Sequence, residues 1–315
     1  MNKMNKMLVV VLALVVLGAG CEKKTSTSAT RTGKPVVYTT FYPTKFFAER
    51  IGGELIEVVC PVPSGEDAIF WMPDAKAIAA YQKADLIVIN GAEFSKWVQK
   101  VNLPESRVVN TAKPFEDSFV TIENATVHSH GKGGEHAHEG IDGHTWVDPV
   151  NAKIQAGEIE KALVKRFPEH QAAFKKGFTS LAADLDTLDR KLKVYQAAYK
   201  NQALLASHPA YNYLARRYGW NLESLDLDPE EMPSDKTIRG IKETLKTHPA
   251  QYLIWEAYPT EAIAQGLKDE LGLTSIEFSP CELLSDAEID AGADYMTVMQ
   301  RNLKNIGVVF ETPKN

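Results

Sequence analysis

Cysteine is nearly absent from this chain: three residues in 315, at positions 21, 60 and 281. So few thiols cannot build a disulfide framework, so the fold must rest on its core. An excess of positive charge is missing as well. The formal net charge is -6, which leaves no basic footprint for a nucleic-acid partner. The one conspicuous apolar run, Leu8 to Leu17, is too short to span a bilayer comfortably. Neither an HExxH pair nor a nucleophile elbow occurs, which speaks against metal-assisted or serine-type hydrolysis.

What the chain does have is histidine in one place. Val127 to Pro149 reads VHSHGKGGEHAHEGIDGHTWVDP and holds five of the eight histidines, at 128, 130, 136, 138 and 144. Neutral imidazole is the commonest side-chain metal ligand near neutral pH, so metal traffic is the first expectation. His128, His130, His136 and His138 lie in a Gly-rich loop, 125–143, that can hold no packed core. They read as a mobile, auxiliary metal-capturing arm, with a merely solvated polar loop as the alternative. His144 differs, because the ordered-looking TWVDP follows it.

At 44% hydrophobic and 24% charged residues, the composition is that of an ordinary globular protein. Residues 1–21 read as an address: Lys3 and Lys6, an apolar stretch, then Gly18-Ala19-Gly20 before Cys21. This resembles a bacterial lipoprotein signal, with Gly18 in place of the usual leucine, and implies export and lipidation at Cys21. A plain secretory peptide is the alternative, and either leads out of the cytoplasm. Residues 22–34, rich in Ser, Thr and Lys, read as a flexible tether.

Short β-branched runs then alternate with helical ones. VVYTTFY, IEVVCPV, DLIVINGA and RVVNTA predict the strands of an N-terminal α/β lobe, 35–168, with a mainly parallel sheet. LLASHPA, NLESLDL, YLIWEA and TSIEFS predict a second α/β lobe over 201–315. Between them, Phe174, Phe178, Leu181, Leu185, Leu188, Leu192, Tyr195 and Tyr199 alternate spacings of four and three. That is one apolar stripe on a long helix, 169–200, which joins the lobes as a rigid spine. A coiled-coil partner helix is the weaker alternative, and a monomer is expected.

The segments FYPTKFFAERIGG, PDAKAIAAYQKADLIVINGAEFSKWV, GHTWVDPVNAK, SHPAYNYLARRYGW and EEMPSDK occur in this order. Together they resemble the metal-binding receptor lipoproteins of zinc and manganese ABC transporters, from about Pro35 to the C-terminus. The resemblance implies two lobes joined by a rigid helix, one divalent transition metal ion in the cleft, zinc first and manganese second, and an ABC permease with its ATPase as partners. It further implies a membrane-anchored position on the extracytoplasmic side, in the periplasm or at the cell surface, and no catalysed reaction. His144 matches the family's second metal ligand and His208 its third. The first ligand's place is taken by Ile69, in GEDAIFWMP, and the fourth's by Ser279, in EFSPCEL. Oxygen from Glu66 or Asp67 and from Glu256, or a thiolate from Cys281, could complete the shell, and Asp67 with Glu256 is the preferred pair. The change at Ile69, with Phe70, Trp71 and Tyr258 nearby in kind, also allows a pocket for an organic solute or metal chelate. A zinc hydrolase with Glu256 as general base is the remote third reading. His170 and His248 are expected to be surface or capping residues.

Overall fold

Val36–Thr39 forms β1, and each later strand of the first sheet runs parallel to it. The computed structural model describes residues 33–122, 127–129, 135–137, 140–198 and 201–310. The expected leader 1–21 with Cys21, most of the tether 22–34, and His130 and His138 lie outside those residues. After β1 come α1 (Tyr42–Gly52), β2 (Glu57–Val59), α2 (Ala75–Lys83), β3 (Leu86–Ile89) and β4 (Val108–Asn110). Their sheet has the order β2-β1-β3-β4. Between β3 and β4 the chain makes only a short 3-10 turn, Lys96–Lys100, whose Trp97 is buried.

Two antiparallel pairs interrupt the α/β pattern. β5 (Thr121–Ile122) pairs with β8 (Gly140–Ile141), closing the neck of the histidine loop. Within the loop β6 (Val127–Ser129) pairs with β7 (Glu135–Ala137) and sets His128 opposite His136 in register.

α3 (Pro149–Arg166) starts from Asp148, whose carboxylate accepts the Val150 N–H, with proline in the first turn. After a 3-10 turn, Pro168–His170, α4 covers Gln171–Ala198, close to the predicted 169–200. At 1.5 Å per residue it runs roughly 42 Å. Phe174, Leu181, Leu185, Leu188 and Leu192 of the predicted stripe are buried. The second sheet follows: β9 (Ala203–Ala206), α5 (Asn212–Tyr218), β10 (Asn221–Ser224), α6 (Asp235–Thr247), β11 (Tyr252–Trp255), α7 (Glu261–Leu271) and β12 (Thr274–Glu277). Its order, β10-β9-β11-β12, repeats that of the first sheet, again all parallel. α8 (Asp286–Asp290) and α9 (Tyr295–Phe310) complete the chain. The protein is thus two parallel α/β lobes joined by one long helix. Among the described residues no helix is long and apolar enough to cross a membrane.

Burial shows how the lobes share a core. Period-two alternation sends Leu86 and Val88 to one face of the first sheet and Ile87 to the other. Likewise Leu204, Ala206 and Ile254 face inward in the second, while Leu205 and Leu253 pack under α6 and α7. The inward faces of both sheets belong to one continuous cluster that also takes in α1, α3, α4 and α9. Both faces of both sheets are therefore covered, as purely parallel sheets require.

Candidate metal centre

In open parallel sheets the ligand crevice lies beyond the carboxyl ends of the strands, where successive connections leave in opposite directions. In the second sheet that point falls between the neighbours β9 and β11. His208 comes two residues after β9, and Glu256 directly after β11. The first lobe brings His144 from the loop that follows the β5–β8 neck. Both histidines are buried, 2% and 3% exposed, and their rings meet edge to face with centroids 5.5 Å apart.

His144 is held from both sides. Its backbone N–H and its Nδ1–H both donate to Asp142 Oδ1, at 2.9 and 2.8 Å. Its Nε2–H donates to Glu282 Oε1 at 2.9 Å. Burial by itself would lower the imidazole's pKa, but the hydrogen bonds to Asp142 and Glu282, and their charges, outweigh it and push the pKa up to about 10. The ring is therefore an imidazolium at neutral pH. Behind it lies a buried polar network: Asn90 Nδ2 donates to Gly143 O at 2.9 Å, and Gln155 Nε2 to Asn90 Oδ1 at 2.7 Å. Gly143 lies so close to Phe94 that a Cβ there would meet the ring at 2.9 Å.

Glu282 is the residue that sequence reasoning missed. Ser279 occupies the expected ligand place, but its hydroxyl accepts the Cys281 N–H at 3.1 Å and its own N–H donates to Asn302 Oδ1. Cys281 then turns left-handed, φ +60°, and the next side chain, Glu282, reaches across to the first lobe. Cys281 itself enters the core, 1% exposed, and burial drives its thiol pKa far up, so it stays protonated. The only signal for Glu282 in the sequence was a carboxylate one place beyond the cysteine.

Asp67 and Glu256, the other expected donors, make contacts of their own. Asp67 Oδ1 accepts the Ile69 N–H at 2.8 Å and so shapes its own loop. Glu256 is half-buried and close enough to Tyr211 for its charge, after burial and together with Glu282, to raise that phenol's pKa. Ile69 is buried and lines a cavity of about 20 Å³ with Phe70, Phe94 and His144. That is room for a water, not for an organic solute. Trp71 packs edge-on against Trp97 in the cluster with Tyr81 and Leu103, and Met72 is exposed. Tyr258 is half exposed. His248 is no surface residue: it caps α6 while buried, its Nε2 2.8 Å from Leu204 O.

Among the described residues no three His, Cys, Asp or Glu side chains already stand as a ligand cluster. Two donors on a tetrahedral zinc, each about 2.0–2.1 Å from it, are roughly 3.4 Å apart. The 2.9 Å between His144 Nε2 and Glu282 Oε1 is a hydrogen bond, and an ion in place of that proton needs the seam to open by about half an ångström.

A buried imidazole of one lobe thus faces an imidazole and a carboxylate of the other across the seam between them. The sequence matches the family described as zinc-uptake complex component A, periplasmic, over residues 37–308, and the chain belongs to that family. It is similar to the zinc-binding lipoprotein AdcA of Streptococcus pneumoniae (strain ATCC BAA-255 / R6), 28% identical over 96% of the chain. The chain spans only 60% of that relative's length. A putative metal-binding protein of Treponema pallidum (strain Nichols) is 30% identical, over 82% of this chain and 83% of its own. Among solved structures, the metal-dependent lipoprotein YcdH of Bacillus subtilis matches with TM-score 0.74 and 27% identity, over 86% of this chain and 97% of its own. The Zn(II)-bound ZnuA-like domain of S. pneumoniae AdcA matches with TM-score 0.75 and 25% identity, over 89% of this chain and 100% of its own.

Proposed function

We propose that this protein is an extracytoplasmic receptor that captures zinc and hands it to an ABC permease driven by its ATPase. His144 and His208 hold the ion, Glu282 supplies the oxygen, and the metal is cargo, with no reaction catalysed. Manganese is the second candidate, since two imidazoles with carboxylate oxygen suit either metal. The observation that carries this reading is that His144 of one lobe touches two side chains of the other, the His208 ring at 5.5 Å between centroids and the Glu282 carboxylate at 2.9 Å. Asp142 suits it too: with zinc on Nε2, the Nδ1–H still donates to Asp142, the carboxylate–histidine–metal arrangement that fixes tautomer and ring angle.

Asp67 and Glu256 stay within the proposal as nearby carboxylates, and the loop histidines, His128, His130, His136 and His138, as the arm that raises the local ion concentration. Cys21 is the lipid anchor, and the receptor works as a monomer at the membrane surface. Isothermal titration tests the core of this. Zinc should bind the parent protein with submicromolar affinity, and H144A, H208A and E282A should each weaken it by more than the roughly 10- to 100-fold typical of losing an outer hydrogen-bond partner. Unchanged binding in H144A and H208A would overturn the assignment.

A further inference from the structure

The carboxylate of Glu282 touches His144, yet its own position is set by backbone some distance away. We infer that Asn302, on α9, is the residue that positions Glu282 for the cargo; the inference rests on Glu282 being a ligand, as proposed above. Asn302 is fully buried, 0% exposed. Its Nδ2 donates to Ser279 O at 2.6 Å, and its Oδ1 accepts the Ser279 N–H at 3.0 Å. One amide thus satisfies both backbone groups of the residue at which the chain leaves β12 and turns toward the first lobe. Only asparagine or glutamine carries donor and acceptor together in one plane, and the shorter of the two fits between helix and turn.

From that anchored residue the path to the ligand is short and determined. The Ser279 hydroxyl takes the Cys281 N–H at 3.1 Å, Cys281 adopts φ +60°, and Glu282 emerges facing His144. A non-glycine residue in the left-handed region keeps that conformation only where its surroundings over-determine it. Here the surroundings are Asn302 on one side and, from the first lobe, Trp146 Nε1, which donates to Pro280 O at 2.7 Å. Asn305, one turn along α9, adds a hydrogen bond to Glu277 O at 3.1 Å, so the helix grips the strand end as well as the turn. Among the described residues the hydrogen-bond partner of the Glu282 carboxylate is His144. Nothing else on the side chain would hold it in place if the turn relaxed.

A double-mutant cycle tests this, with zinc affinity measured by chelator competition in the full chain, N302A, E282A and N302A/E282A, and urea midpoints recorded beside it. N302A should weaken zinc roughly tenfold or more, the range seen for partners that orient ligands, and should have almost no further effect once Glu282 is alanine. Equal losses in both backgrounds would show general destabilisation and overturn the inference. If E282A alone leaves zinc binding unchanged, the ligand role of Glu282 fails, separately from the role of Asn302. N302D runs through the same cycle, because it keeps the size and the acceptor for the Ser279 N–H but sets an oxygen against the Ser279 carbonyl. It should reproduce the Glu282-dependent loss, so a folding defect in N302A does not decide the matter.

Discussion

Ile69 has no lone pair to offer, and it lines the same cavity as His144. Replacing it tests whether the site is short of one donor. Ile69→His should tighten zinc binding by roughly tenfold or more, because structural and storage-type zinc favours a closed four-donor shell; competition with a fluorescent chelator would measure it, and weaker binding would mean that the position points away from the ion. The imidazolium of His144 makes a second prediction. Its folded pKa, about 10, lies above the ordinary histidine value, so its contribution to the stability of the metal-free protein is fully present below about pH 6.5 and is lost as pH rises through about 10. Zinc must displace the Nε2 proton, so binding near pH 7.5 should release about one proton and strengthen as pH rises toward 10. Titration calorimetry in buffers of different ionisation heat reads that proton directly; no release would show that the ring is neutral in the free protein.

At the scale of elements, the strands were legible as short β-branched runs between helical ones, and the spine because its apolar residues alternate spacings of three and four. Turns carry no such period. Glu282 could not be picked out because its direction depends on the left-handed backbone of Cys281 and on a grip on Ser279 from Asn302, twenty positions beyond Glu282 in sequence. The stretch after β3 is irregular for a related reason, since Ala92 and Glu93 both have positive φ, +46° and +55°, and cannot start a helix. Packing between elements was likewise unreadable. Gly177 on α4 sits against the end of α1, where a Cβ would meet the carbonyl oxygens of Ile51 at 2.5 Å and Arg50 at 2.8 Å. Gly177→Ala gains helix propensity but must push two backbones apart, so it should destabilise the protein by about 1–3 kcal/mol. A urea midpoint at or above that of the parent would contradict the packing.

Across the whole molecule, the two lobes are less independent than two sheets and a spine suggest. One apolar cluster runs through both, and α5 of the second lobe grips the first. Tyr213 donates to Asp142 O at 2.8 Å, Arg216 to Ser118 O at 2.7 Å, and Arg217 forms an ion pair with the buried Asp148. Opening them widely would expose that cluster. Metal binding should therefore produce only a small closure, with small-angle scattering curves of the free and zinc-loaded forms nearly superimposable; a marked metal-dependent compaction would contradict the shared core.

If the protein works as proposed, that continuity has a consequence for whatever receives the ion. A transporter that meets two forms of nearly identical outline cannot sort them by silhouette. What would change on the proposed binding is the electrical state of the seam, where a divalent cation would take the place of a single proton on His144 and leave the spot one unit more positive. Full and empty carriers would then be told apart by potential at a point, and the strength of that discrimination would fade as ionic strength rises.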